Sequence, residues 1–373
     1  MNDVKVVEVS MNGTKVGRIA LTPEKLCAFE YDPSYIATGV SIAPLSLPLQ
    51  SGLFVAKRTP FHGGFGVFDD SLPDGWGSLI LDRYLKRKRI NPSKLTLLQR
   101  LSLVGKVGRG ALTYLPDYSE LAVDEAVDLD HLATEAQKVL ACDYDSSALD
   151  TLYKYGGSPG GARPKVFVSI DGDEWLVKFK STLDPNDIGQ KEYVYSQLAK
   201  KCGINMPETR LLNGKYFAVK RFDRAPFGKI HTVSVAGMLH ADYRIPSLDY
   251  IELLKLCLIL TKNMEEVYAL FRQMVFNVVI RNRDDHAKNF SFQLIHNEWK
   301  CAPAYDLLPS GGFNGFHTTT VNHNGEPTAR DMIAVAEKVG LHKRRALDMI
   351  EEITTICKID STSTFSQTPT DCR

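Results

Sequence analysis

What this sequence lacks narrows it first. No CxxC pair occurs among its seven cysteines, which stand far apart at positions 27, 142, 202, 257, 301, 357 and 372. The odd number and wide spacing set aside a disulfide framework and a structural zinc site, and imply reduced thiols. Cys202 and Cys257 lie in apolar helical stretches, where a thiol serves as a small core residue. No apolar run approaches the ~20 residues needed to cross a bilayer; the longest, near Leu253–Leu260, is interrupted by Lys255. The opening MNDVKVVEVSMNG has no apolar leader core. The expected compartment is therefore the cytoplasm, without membrane contact. Charge of one sign is also lacking. Lys+Arg 45 against Asp+Glu 44 leave +1, too small a field for a protein that coats nucleic acid. The glycine-rich loop at 156–161 lacks the Gly-Lys-Ser/Thr ending of a Walker A loop, which sets aside a P-loop NTPase.

What is present describes an ordinary globular chain. A hydrophobic fraction of 44% and a charged fraction of 24% supply material for more than one core. Length suggests roughly two to three domains. Two β-prone runs flank Asn12-Gly13, a hairpin signal. Short β-like pieces follow to about residue 68. Pro73 and Asp74 open a helix through Leu85, and a second helix is expected over Pro92–Leu101. A glycine-containing β segment, Gly105–Leu115, closes this α+β part. Residues 117–150 read as helical. The glycine-rich loop then precedes a strand, a tight turn at Asp171-Gly172 and a strand through Phe179. A helix over 190–201 stops at Gly203, and a strand pair surrounds Asn213-Gly214, ending at Phe222. Beyond Asp223 the pattern is mostly helical, notably Tyr250–Leu260, Met264–Ile280, 330–340 and 343–356. The tail from Lys358 reads as poorly ordered.

Chemistry concentrates in Asn282-Arg283-Asp284-Asp285-His286-Ala287-Lys288-Asn289. Phosphoryl transfer from ATP needs a carboxylate near the attacking hydroxyl and oxygen ligands for Mg²⁺. Asp284 and Asn289 have the spacing at which protein kinases place catalytic Asp and metal-binding Asn. The same letters would also suit a solvated loop after a helix. Asp306 follows an expected strand pair turned at His296-Asn297, where a kinase carries its second metal-binding carboxylate. Lys178, on a strand among Leu176, Val177 and Phe179, could reach nucleotide phosphates, or simply point outward. Glu192, at the start of the next helix, could pair with it, or serve only its own first turn. Glycines of the loop permit close approach of backbone to phosphate.

Five ordered motifs carry a resemblance. Gly157-Ser158-Pro159-Gly160-Gly161-Ala162-Arg163-Pro164-Lys165, Val177-Lys178-Phe179, Val219-Lys220-Arg221-Phe222-Asp223-Arg224, Asp284-Asp285-His286-Ala287-Lys288-Asn289-Phe290-Ser291 and Ala304-Tyr305-Asp306 occur in the order seen in HipA-type serine/threonine kinases, the toxins of bacterial toxin–antitoxin systems. Leu72–Gly77 and Val104–Leu112 resemble that family's N-terminal coupling domain. The resemblance implies an α+β, protein-kinase-like two-lobe fold, β-rich then helical, with an additional N-terminal domain. It implies boundaries of 1–120 for the coupling domain, 121–224 for the N-lobe, 225–357 for the C-lobe and 358–373 for the tail. Asp284 becomes the catalytic base, and Asn289 and Asp306 the Mg²⁺ ligands. ATP-binding positions are Gly157, Ser158, Gly160, Gly161, Ala162, Lys178 and the backbone between Lys220 and Phe222. Ser158 matches an autophosphorylated serine. Asp285 departs from the family pattern, where glycine is familiar, and Lys220 stands where an acidic residue can occur. The implied partners are a helix-turn-helix antitoxin of HipB type, through which alone DNA is engaged, and a protein substrate such as an aminoacyl-tRNA synthetase. Rival readings are a small-molecule or lipid phosphotransferase and a catalytically silent binding module.

Overall fold

The computed structural model describes residues 3–120, 127–144, 146–156, 160–312 and 314–364. They fall into two units: Met1–Gln190 with Glu208–Ala241 and Phe292–Asn297, and Lys191–Pro207 with Asp242–Ser291 and Glu298–Arg373.

The first unit begins with the expected hairpin. β1 (Val6–Met11) and β2 (Thr14–Leu21) meet through Asn12 at φ 47° and Gly13 at φ 82°, the left-handed pair that matches strand twist. With β3 (Cys27–Tyr31), β4 (Leu53–Val55) and β5 (Leu112–Leu115) they form an antiparallel sheet of order β4-β3-β2-β1-β5. Alternate residues Val7, Val9, Ile19 and Phe29 are fully buried, as the period of two requires. Phe29 meets Tyr31, Phe65 and Phe68 edge-on.

Helix α1 (Gly75–Arg87) follows, close to expectation. Beyond it, the helix read over Pro92–Leu101 is two pieces. A single turn at Pro92–Lys94 precedes α2 (Leu97–Val104), because Thr96 and Gln99 form a capping box that restarts the helix. The β segment read from Gly105 shrinks to β5; Gly105 at φ 50° and Gly110 at φ 71° make turns of what precedes it. α3 (Leu129–Leu140) and α4 (Ser146–Gly156) follow, so Gly156 ends a helix rather than opening the loop.

A second antiparallel sheet of order β6-β7-β9-β8 comprises β6 (Lys165–Ile170), β7 (Asp173–Lys178), β8 (Thr209–Leu212) and β9 (Tyr216–Lys220). Its inner residues Val166, Val177 and Ala218 lie side by side across three strands. They share one core with Trp76, Ile80 and Tyr84 of α1, with Leu132, Ala136 and Val139 of α3, and with Leu149 and Leu152 of α4. The helical texture expected after Asp223 starts late. Arg224–Ala225, Gly228–Lys229 and His231–Ser234 are first three short strands.

The second unit is mostly helical. It takes up α5 (Ile188–Lys201) from Lys191 onward, and carries α6 (Tyr250–Thr261), α7 (Met264–Ile280), α8 (Ala329–Lys338) and α9 (Lys343–Thr364). Asp249 and Asn263 cap α6 and α7 by accepting from Ile251 and Glu265 N–H. α9 outruns its expected end at 356. Nothing in its sequence breaks a helix there, Ile353 and Cys357 are buried, and Asp360 pairs with Lys201 at 2.6 Å. Cys202 and Cys257 are buried, as read. No helix among the described residues is long and apolar enough to cross a membrane.

Candidate functional site

The side chains singled out in the sequence fall into two groups, one in each unit. In the second unit α7 ends at Ile280 with Arg281 in the left-handed region at φ 57°, and the chain turns into the polar loop. Asp284 exposes 65% of its side chain, while its N–H donates to Ser310 Oγ at 2.8 Å. Asn289 Nδ2 donates to the Asp284 carbonyl at 2.6 Å, so the two motif residues are joined directly. With its nitrogen so committed, the Asn289 amide offers its oxygen to a cation. Asp306 is exposed at φ 53°, and its carbonyl accepts from Asn282 Nδ2 at 3.2 Å. Tyr305 donates its hydroxyl to the Lys288 carbonyl at 2.6 Å and shares a 2.6 Å bond with Ser291. The loop and the Asp306 segment are thus tied together at both ends.

One carboxylate and one amide oxygen are hard donors, which suits Mg²⁺ completed by phosphate oxygens. Among the described residues no three His, Cys, Asp or Glu side chains gather into a metal cluster of their own. Asp285, noted in the sequence only as a departure, is fully buried. Its Oδ1 accepts from Thr318 and Thr319 N–H at 2.9 and 3.1 Å; its Oδ2 meets Tyr250 OH at 3.0 Å and His317 Nδ1 at 2.9 Å. A buried carboxylate so satisfied is a structural anchor rather than a reagent.

In the first unit Gly157 and Ser158 fall outside the described residues. Gly160, Gly161 and Ala162 are described, and their loop is held from an unforeseen quarter. Asp74, read as a helix start, makes no capping bond to its own helix; its carboxylate accepts the Gly161 N–H. Trp76 N–H donates to the Gly161 carbonyl at 3.0 Å. Lys165, buried, donates its ammonium to the Gly160 carbonyl. Arg163 pairs with Asp184 through Nε and Nη2 at 2.9 and 3.0 Å.

Lys178 is buried at the end of β7, opposite Lys165 and Phe217, with Nζ 5.6 Å from the Phe217 ring centre. Glu192 is buried on α5, in the second unit. Lys220 sits at the other end of β9, its ammonium paired to Asp173 at 2.5 Å. The N–H groups of Lys220 and Arg221 donate to Glu208 and Glu174 carbonyls at 2.9 Å, and the Phe222 carbonyl accepts from Gln293 at 2.8 Å.

Just beyond, Asp223 is buried between Arg221 and Arg224, at 2.8 and 3.0 Å, and accepts the Gly110 N–H at 2.8 Å. Burial alone would push its carboxyl up. The two guanidiniums and the amide outweigh that and hold it well below the ordinary carboxylate range. These contacts bring Val219–Arg224 and Val104–Leu112, two motifs far apart in sequence, together. Acidic letters beside arginines hinted at ion pairing; nothing in the sequence named Gly110 as the partner.

Comparison with known proteins gives this arrangement a family. Residues 7–115 match the model of the HipA N-terminal domain, and 157–359 that of the HipA-like C-terminal domain. A Sinorhizobium fredii protein named "Putative kinase Y4dM" is 25% identical over 94% of this chain and 90% of its own length. A second from that organism, "Putative kinase Y4mE", is 29% identical over 82% of this chain and 77% of its own. The structure of Shewanella oneidensis HipA, solved with HipB and operator DNA, superposes with a TM-score of 0.71 at 17% identity, covering 98% of this chain and 92% of that one; the fold is therefore HipA's. With the C-terminal model spanning more than half of its residues and the N-terminal model ahead of it, the chain belongs to the HipA family.

Proposed function

We propose that this chain is an ATP- and Mg²⁺-dependent serine/threonine protein kinase of HipA type, the toxin of a toxin–antitoxin module. The observation that carries the reading is the direct bond from Asn289 to the Asp284 carbonyl, with Asp306 tied to the same loop through Asn282. It supports the reading by joining the segments of Asp284, Asn289 and Asp306 in one hydrogen-bonded network. In the reaction a substrate hydroxyl oxygen forms a bond to the γ-phosphorus of ATP, the bond to the β-bridging oxygen breaks, and ADP leaves. Asp284 takes the hydroxyl proton. Asn289 and Asp306 would hold Mg²⁺, which when bound neutralises phosphate charge. Gly160, Gly161, Ala162 and Lys178 serve the nucleotide phosphates.

The protein substrate is expected to be translation-related, an aminoacyl-tRNA synthetase being the class the family suggests. Ser158 is expected to accept phosphate in an autoreaction; about two negative charges beside the nucleotide phosphates would lower ATP affinity. A HipB-type helix-turn-helix protein is the expected partner and the carrier of DNA contacts. The relative solved with HipB and operator DNA supports that assignment.

Labelled ATP with Mg²⁺ tests the reading against its rivals. Label should enter a protein band of a cell extract and, by mass spectrometry, Ser158. Label in sugars or aminoglycosides alone would indicate a small-molecule phosphotransferase. Nucleotide-induced thermal stabilisation without transfer to any acceptor would indicate a silent module.

A further inference from the structure

Beneath the exposed loop of the second unit runs a chain of buried polar groups that the reaction scheme does not use. Asn282 lies at its head and is 2% exposed. Its Nδ2 donates to Asn277 Oδ1 at 3.1 Å and to the Asp306 carbonyl at 3.2 Å. Its Oδ1 accepts from Ser310 Oγ at 3.4 Å, and that same Oγ accepts the Asp284 N–H at 2.8 Å. Asn277 Nδ2 donates to Tyr250 OH at 3.0 Å, and Tyr250 OH donates to Asp285 Oδ2 at 3.0 Å.

Every donor in this series faces an acceptor, and the direction is uniform. It runs from Asn282 through Asn277 and Tyr250 into a carboxylate that has nothing to donate. Such chains polarise one another and resist rearrangement when water is excluded. At Asn282 the requirement is strict. The position needs two donors on one atom and an acceptor on the other, which among side chains of that size only a primary amide supplies.

We propose that Asn282 is the positioning residue of the reaction, fixing the backbone of Asp284 and of Asp306 relative to each other. This rests on the kinase reading above. Two loops that approach from different parts of the sequence must hold their carboxylates to within tenths of an ångström. One side chain reaches both, Asp306 directly and Asp284 through Ser310. The buried end of the chain, Asp285 with Tyr250, keeps that side chain from turning. Phosphoryl transfer depends on placement, and a misplacement of about 1 Å costs roughly 100-fold.

The test compares four variants with the wild type in labelled-phosphate transfer, with Mg²⁺ titrated and unfolding followed separately. Asn282→Ala deletes all three bonds. Asn282→Asp keeps shape and the acceptor for Ser310 but turns both donors into acceptors. Ser310→Ala, at a half-buried position, removes the acceptor of the Asp284 amide together with the donor to Asn282 Oδ1, leaves the bonds of Asn282 to Asn277 and Asp306, and keeps the test open should Asn282 variants fail to fold. Met349→Ala, buried on α9 in the same unit and with no polar atom in the series, is the control for lost stability.

The expected result is a kcat lower by about 100-fold in both Asn282 variants and by about 10-fold in Ser310→Ala. KM for ATP should stay within about threefold, and more Mg²⁺ should be needed for half-maximal rate. Met349→Ala should lower the unfolding midpoint and leave kcat unchanged. Wild-type kcat in folded Asn282→Ala, or an equal loss of kcat in Met349→Ala at matched stability, would overturn the inference. A wild-type chain that transfers phosphate to no acceptor would overturn the kinase reading, and this inference with it.

Discussion

Replacing Asp284 by asparagine removes a proton acceptor and keeps its shape, and the same change at Asp306 removes a hard metal ligand. Both side chains are exposed and neither supports a core, so both variants should unfold like the wild type. Transfer should fall by roughly 100- to 10,000-fold in Asp284→Asn, the range a positioned base contributes, and by a comparable factor in Asp306→Asn. Initial rates beside urea unfolding check this; near wild-type rates in either would sink its assigned role. These residues were legible because the chemistry demands a spacing. Asp285 was not. In sequence it is a second aspartate in a polar loop, indistinguishable from its neighbour. In the fold one is exposed and the other wholly enclosed, because a loop has no periodicity to say which way successive side chains turn. Asp74 does stand at the start of α1, but the work of its carboxylate was hidden for a related reason. An acid before a helix usually caps it, and only the fold shows that this carboxylate reaches Gly161 instead.

Elements with strong local signals came out within a residue or two. The Asn12-Gly13 hairpin, α6 and α7 each rest on turn chemistry or sustained periodicity. Those set by distant partners did not. The short strands after Asp223 have two to four residues each, too few to declare a period. In the strand His231–Ser234, His231 is buried and donates from Nε2 to the Ile42 carbonyl at 2.8 Å. Burial pulls its pKa down to about 4 from an ordinary 6.5, so the fold holds it neutral. A depressed histidine contributes stability that is whole above its unfolded value and is lost as pH falls towards the folded one. Stability should therefore decline between pH 6.5 and 4, by roughly 3 kcal/mol at the limit. His231→Gln keeps a donor without the titration and should flatten that slope in urea midpoints measured across the interval. A slope unchanged by the substitution would remove His231 as its source.

The start of α1 makes its own prediction. Gly75 has φ +44°, and a Cβ there would stand 2.5 Å from the Gly161 carbonyl oxygen. Gly75→Ala should push the glycine-rich loop aside, raising KM for ATP severalfold while α1 stays formed. Unchanged nucleotide affinity by calorimetry would separate this contact from nucleotide binding.

For the whole molecule the near-balance of charge has a measurable side. With a net charge of +1, the chain should hold operator DNA weakly and lose it within a modest rise in salt. Tight binding should appear only when a helix-turn-helix partner is added, which a mobility shift over a salt series would show. Tight binding by the chain alone would contradict it. The broad order of β-rich and helical parts was legible because composition shifts along the chain.

The shared core of the first unit was not legible, since periodicity shows which face of a helix is buried and never against what. Trp76, Ile80 and Tyr84 of the N-terminal family segment sit in one cluster with Val166, Trp175 and Val177 of the C-terminal one. That bears on inheritance. Two segments that complete each other's interior cannot be traded separately between relatives. A graft that joins this chain's first 115 residues to another member's remainder inherits half of a three-dimensional puzzle cut for a different half. Recombination within such a lineage should survive where whole chains change hands, and viable hybrids should be those whose crossover leaves α1 in the company of α3, α4 and β7.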